Sequence, residues 1–144
     1  MLVNMRKSKQ RDLILEIVEN NNIHPTAEWV YGEAKKKMPT IGIATVYRNL
    51  NLLVELGKLE RISIPGESDR YDAVTHTHFH MRCKYCGKLI DIYPVDDEAI
   101  PKLKEAISRN FNLKGTEFEI SEAMLSCVCN QCADIENKNQ NNNS

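Results

Sequence analysis

The chain has 144 residues, enough for one domain or two small ones, and 42% hydrophobic content supports an ordinary core. No apolar run approaches the roughly 20 residues that span a bilayer, and Met1 to Arg11 carries basic residues without the apolar core of a secretory leader, so the cytoplasm is the expected compartment. The net charge of −1 hides an asymmetry: residues 1–70 carry 11 Lys and Arg against 9 Asp and Glu, a balance of +2, whereas residues 71–144 carry 8 against 11, a balance of −3. A mildly basic first half permits nucleic-acid binding without demanding it.

In chain order, Leu13, Ile14, Ile17 and Val18 recur at helical spacing and predict a first helix from Lys7 to Asn20, closed by Asn20-Asn21-Asn22. Thr26 is a good N-cap for a second helix, which runs through Val30 and Ala34 to Met38 and stops before Pro39. A third helix covers Ile43 to Leu56, with Val46, Leu50, Leu53 and Val54 on its apolar face and Gly57 as the stop. Two extended segments follow, Leu59–Ile64 and Arg70–Asp72, joined by Pro65-Gly66-Glu67-Ser68-Asp69 as a hairpin. Three helices and a hairpin are the order of a winged helix-turn-helix DNA-binding domain, here residues 1–72, whose third helix would enter the major groove. That order alone is weak evidence, since many three-helix units bind no DNA.

Residues 73–80 read as a hinge carrying metal donors. A small α/β domain is expected at 81–136. Its strands are His80–Cys83, Leu89–Tyr93 and Thr116–Val128, its helix Asp97–Asn110. The Asn-rich tail 137–144 reads as disordered. The fold class is α+β.

Two Cys-x-x-Cys pairs, Cys83/Cys86 and Cys129/Cys132, carry the strongest chemistry. Four thiolates held tetrahedrally make a closed structural zinc site with no open position for catalysis. Two disulfides or a redox-active pair are the alternatives. Zinc is preferred because the cysteine count is odd and no export signal is seen. Cys127 is left over, either buried or redox-active. Beside this site lie nitrogen and oxygen donors. His78 and His80 share one face of an extended segment, because side chains repeat every second residue, and Asp72 lies just upstream. Such a set suits Fe(II), Mn(II) or Zn(II). His76 is expected to be exposed and receives no role.

On the DNA side, Thr45, Tyr47, Arg48 and Asn49 lie at the front of the third helix. Tyr47 could pack on a thymine methyl, or instead close the helical core, and Arg48 could meet guanine or phosphate. Lys7, Lys9 and Arg11 are expected on phosphates, which position a protein without reading sequence. Two rivals keep the metal and drop the DNA. A metalloenzyme would need a poised general base, and no H-E-x-x-H helix is present; a zinc-storage module leaves the basic first helix unexplained.

The segments His24-Pro25-Thr26-Ala27-Glu28, Gly42-Ile43-Ala44-Thr45-Val46-Tyr47-Arg48-Asn49-Leu50, Tyr71-Asp72, His78-Phe79-His80, Cys83-Lys84-Tyr85-Cys86-Gly87-Lys88 and Cys129-x-x-Cys132 resemble, in order and spacing, repressors of the ferric uptake regulator (Fur) family. The resemblance covers about Gln10 to Cys132. It implies a homodimeric repressor, not an enzyme, bound to a pseudo-palindromic double-stranded DNA operator, with no membrane attachment. It implies that His24, Asp72, His78, His80 and Asp91 surround a regulatory Fe(II) or Mn(II) bridging the two domains, with zinc on the four cysteines. Asp91 resembles the aspartate of the peroxide-sensing subclass, where iron- and zinc-sensing members commonly have glutamate. There Fe(II) reacts with hydrogen peroxide and a ligating histidine is oxidised, so His24 and His78 are the matching targets. Iron or zinc sufficiency is the alternative signal. Many members also carry a histidine in the last strand; here that region reads Ser121-Glu122-Ala123, and no third metal site is expected.

Overall fold

The structure, a computed structural model, describes residues 2–142. Residues 1, 143 and 144, which fall in the expected first domain and tail, lie outside the described residues. The chain divides into two compact units, 1–76 and 77–144. Among the described residues no helix is long and apolar enough to cross a membrane.

The first unit contains α1 (Leu2–Glu19), α2 (Ala27–Lys37), α3 (Ile43–Glu55), β1 (Glu60–Ile62) and β2 (Arg70–Asp72). Its core is the set predicted from helical spacing. Leu13, Ile14, Ile17 and Val18 of α1 meet Ala27, Val30 and Ala34 of α2 and Val46, Leu50 and Leu53 of α3, with Leu59 and Tyr71 closing the cluster. Thr26 caps α2 by accepting the Trp29 N–H at 3.2 Å. Helix α3 ends in a paired reverse closure: the Lys58 N–H reaches Leu53 O and the Gly57 N–H reaches Val54 O. That motif requires the left-handed φ of +70° at Gly57, where a side chain is disfavoured. Leu50 is fully buried, so Leu50→Ala is expected to lower stability by about 2–5 kcal/mol. Denaturant unfolding checks this, and a loss below about 1 kcal/mol would contradict the packing described.

The second unit contains β3 (Phe79–Cys83), β4 (Leu89–Ile92), α4 (Ala99–Asn110), β5 (Met124–Cys127) and α5 (Asn130–Asn142). Its sheet has the order β4-β3-β5. Strands β3 and β4 are antiparallel, pairing Phe79 with Ile92 and His80 with Asp91; β3 and β5 are parallel, pairing Cys83 with Cys127. Parallel strands need a long crossover, and the chain from β4 through α4 supplies it.

Two expectations are corrected here. The strand foreseen over Thr116–Val128 is only Met124–Cys127, and 116–123 has no regular structure. Glu117, Glu119 and Glu122 there are exposed, so no strand partner offsets the ordering cost of that stretch. The tail foreseen as disordered from 137 is helical to Asn142. Composition argued against order, but the cysteine knuckle before α5 fixes its first turn, with Cys129 O accepting the Ala133 N–H at 2.9 Å. Nucleation is the costly step of helix formation, and Asp134 and Lys138 have the favourable acid-to-base i,i+4 spacing.

Candidate metal centres and nucleic-acid face

The hairpin-like knuckle after β3 begins with Cys83 and turns at Gly87, whose φ of +74° lets its N–H reach back to Cys83 O at 2.9 Å. The Lys84 N–H donates to Cys127 O, tying this knuckle to the end of β5 and so to Cys129. Thus strand pairing, not sequence proximity, carries the second cysteine pair to the first. All five cysteines are free thiols. The sulfurs of Cys83, Cys86, Cys129 and Cys132 lie within 4.8 Å of one another, and Cys86 Sγ stands 3.7 Å from Cys129 Sγ. A disulfide needs about 2.05 Å. Four sulfurs about 2.3 Å from a central zinc would be separated by about 3.8 Å. The donor set therefore fits zinc.

The thiols are unequal. Cys83 is lowered to about 6, chiefly because the Cys129 N–H points at its sulfur at 3.4 Å, with the Cys86 N–H adding to this. Cys132 is raised to about 12, first by its hydrogen bond with Cys129, then by burial. Sulfurs so close cannot all ionise without a cation among them. Cys127 is half-buried, and burial followed by the charges of Cys83 and Cys129 raises its thiol. That holds it in the protonated, less nucleophilic form.

In the first unit, residues 24–26 run alongside β2. The Tyr71 N–H donates to Pro25 O at 3.0 Å, Thr26 bridges Arg70, and Arg70 Nη1 donates to His24 O at 3.2 Å. These bonds hold His24 at φ +53°, a conformation costing on the order of 1–3 kcal/mol for a side chain of this kind. The strain sets the buried imidazole against a buried carboxylate, with Nε2 3.4 Å from Asp72 Oδ2. Asp72 Oδ1 accepts the Val74 N–H at 2.9 Å.

In the second unit, the antiparallel register brings two histidines to one carboxylate. His78 and His80 share a face of β3 and its start; Asp91 lies directly across from His80. Their Nε2 atoms are 3.1 Å apart, and Asp91 Oδ1 is 3.2 Å from His80 Nε2 and 3.8 Å from His78 Nε2. Both histidines are buried, and His76 is exposed. Borderline imidazole nitrogens with hard carboxylate oxygens fit Mn(II), Fe(II) or Zn(II) rather than a sulfur-seeking ion.

On α3, Tyr47 is 38% exposed and donates its hydroxyl to Glu28 Oε1 of α2. This bond raises the phenol to about 12. Tyr47 is thus neither a core aromatic nor a free one. Arg48 is exposed and Thr45 half-buried, while Lys7 and Lys9 are exposed and Arg11 is half-buried. Asn49 is the correction. It is buried and donates its amide to Thr45 O at 2.9 Å, because positions 46, 49 and 53 share the core-facing stripe of a 3.6-residue helix.

The family model described as the Ferric uptake regulator family matches residues 3–122. The chain belongs to the ferric uptake regulator family. It is accordingly a metal-responsive transcriptional regulator, not an enzyme, of a class that binds DNA operators as dimers. It is 35% identical over 136 residues to the peroxide operon regulator of Bacillus subtilis, covering 92% of this chain and 88% of that one. It is 30% identical over 131 residues to the peroxide-responsive repressor PerR of Staphylococcus epidermidis, covering 89% and 81%. The solved Campylobacter jejuni peroxide stress regulator superposes with a TM-score of 0.68 at 27% identity, covering 89% of this chain and 92% of that one.

Two side chains absent from the sequence-based sites belong beside them. Glu28 holds Tyr47, and Tyr93 contacts both His78 and Asp91. Position 93 is two residues beyond Asp91 on an extended strand, a spacing that puts both on one face.

Proposed function

We infer that this chain is a cytoplasmic, dimeric, metal-dependent repressor that senses hydrogen peroxide. The observation that carries the reading is the grouping of His78, His80 and Asp91, three donors within 3.8 Å on one cross-strand face. In the first unit His24 and Asp72 form a matching pair. We assign the five together to one regulatory ion, Fe(II) or Mn(II), that ties the two units, with structural zinc on Cys83, Cys86, Cys129 and Cys132. Fe(II) there supplies the redox chemistry by which one peroxide oxygen ends on a ligating imidazole and the other leaves as water. The protein's part is to hold His24 and His78 rigidly at the ion and to let the loss of one donor loosen the link between the units. Three relatives named for peroxide response support this signal.

The DNA-facing part is the winged helix made by α1, α2, α3 and the β1–β2 hairpin. Thr45, Tyr47 and Arg48 are assigned to the major groove, and Lys7, Lys9 and Arg11 to phosphates. The two-fold partner is assigned to the second unit, which exposes Met124 and Leu125 on β5, at the edge of its sheet, and Leu103 on α4. An exposed apolar strand edge invites pairing with another chain. Two α3 helices on half-sites one turn apart call for a pseudo-palindromic operator.

Anaerobic protein loaded with Fe(II) and given a stoichiometric amount of peroxide is expected to gain one oxygen atom on a peptide containing His24 or His78 and to release its operator. Mn(II)-loaded protein should bind the operator and gain none. The rival is a repressor governed by iron or zinc sufficiency; of these two signals the family's description, ferric uptake, names iron. Metal-dependent operator binding without that mass gain establishes the rival.

A further inference from the structure

The register Phe79–Ile92 and His80–Asp91, carried one step further along the antiparallel pair, sets His78 opposite Tyr93. Four side chains therefore share one face: His78 and His80 from one strand, Tyr93 and Asp91 from the other. The Tyr93 ring stacks on the His78 imidazole with centroids 5.4 Å apart and planes inclined by 21°. Its hydroxyl donates to Asp91 Oδ2 at 3.2 Å. The other oxygen, Oδ1, is the one turned to the histidine nitrogens. Tyr93 is 46% exposed although the imidazole it covers is buried.

A carboxylate can meet a metal through one oxygen or two, and partners beyond the ligands decide which orientation is held. The geometry points to Tyr93 as a positioning residue that commits Asp91 to bind through Oδ1 and holds the His78 ring in place. This rests on the assignment of Asp91, His78 and His80 to the regulatory ion. The two tasks separate by chemistry. Tyr93→Phe keeps the stacked ring and removes the hydroxyl's bond to Oδ2; Tyr93→Leu removes both the ring and the bond.

The test uses full-length protein with zinc on its cysteines, titrated with Mn(II) while the free ion is read by electron paramagnetic resonance. Tyr93→Phe is expected to bind Mn(II) about tenfold more weakly than wild type, and Tyr93→Leu about 100-fold more weakly, the range seen when partners of metal ligands are removed. Zinc content and the unfolding midpoint of the Mn-free protein should stay at wild-type values in Tyr93→Phe. With Co(II) in place of Mn(II), the visible bands of Tyr93→Phe should shift, because the carboxylate reorients at the ion. Unshifted bands, or wild-type Mn(II) affinity in Tyr93→Phe, overturn the role of the hydroxyl. A leucine variant no weaker than the phenylalanine variant overturns the role of the ring. If wild-type protein binds no Mn(II) beyond its zinc, the regulatory site itself is wrong and this inference falls with it.

Discussion

Cys129→Ser is expected to abolish zinc binding and unfold the second unit. Cys129 is buried, its sulfur stands 3.7 Å from Cys86 Sγ, its N–H points at Cys83 Sγ, and its carbonyl accepts the first bond of α5. A hydroxyl in its place is a harder, less acidic donor and breaks the four-sulfur set. Structural zinc contributes on the order of 10 kcal/mol to the folding of small metal domains. A whole domain is stable by only about 5–15 kcal/mol. The second unit has little else to hold it: α4 and α5 contain no fully buried residue, and β5 is largely exposed. The first unit's core includes none of these residues, so its helices should persist. Zinc analysis and circular dichroism with denaturant would show zinc lost, one transition lost and one retained. A zinc-free Cys129→Ser protein that still unfolds in two transitions would remove zinc from the account of stability. Acid should act in the same direction, because protons compete with the metal for thiolates. Zinc content should therefore fall as pH is lowered, since each thiolate that leaves the ion is captured by a proton.

Much of this arrangement was readable beforehand, and the parts that were not have physical reasons. Each Cys-x-x-Cys knuckle is a local turn, so its spacing marks a candidate metal grip, and the odd cysteine count ranks zinc above disulfides. The meeting of Cys86 with Cys129, 43 residues on, depends on the parallel pairing of β3 with β5, which no local pattern encodes. The helices of the first unit follow from apolar spacing because tertiary burial and helical period agree there. Asn49 was misplaced because polarity was weighed above position; the spacing from Val46 to Leu53 already placed it on the buried stripe. His24 sits beside Asp72 only because the contacts of His24, Pro25 and Thr26 with Arg70 and Tyr71 hold a left-handed residue ahead of Pro25. Propensity disfavours that conformation, so a sequence cannot announce it. Tyr93 was visible as Asp91 plus two, but its contact with His78 needed the strand register.

Asp72→Asn is expected to cost about 100-fold in Mn(II)-dependent operator affinity while leaving zinc and fold intact. The change is nearly isosteric, and the amide oxygen can still accept the Val74 N–H that Asp72 Oδ1 accepts now. What disappears is the negative charge facing His24. A neutral amide is a far poorer ligand for a hard divalent cation than a carboxylate. If the ion ties the two units into the arrangement that fits the operator, losing it returns the protein to its metal-free population. Coupling of this kind spans about 1–3 kcal/mol, or roughly 5–150-fold in affinity. The residues assigned to phosphates, Lys7, Lys9 and Arg11, lie on α1 and do not change. The slope of log affinity against log salt should therefore match wild type, since it counts released counterions. Fluorescence anisotropy on a pseudo-palindromic duplex, across salt concentrations and with or without Mn(II), measures both. Unaltered Mn(II)-dependent affinity in Asp72→Asn would take this carboxylate out of the regulatory site. A changed salt slope would move its effect to the DNA face instead. Loss of Mn(II) dependence at constant slope is the result that joins the donors of the first unit to the control of DNA binding.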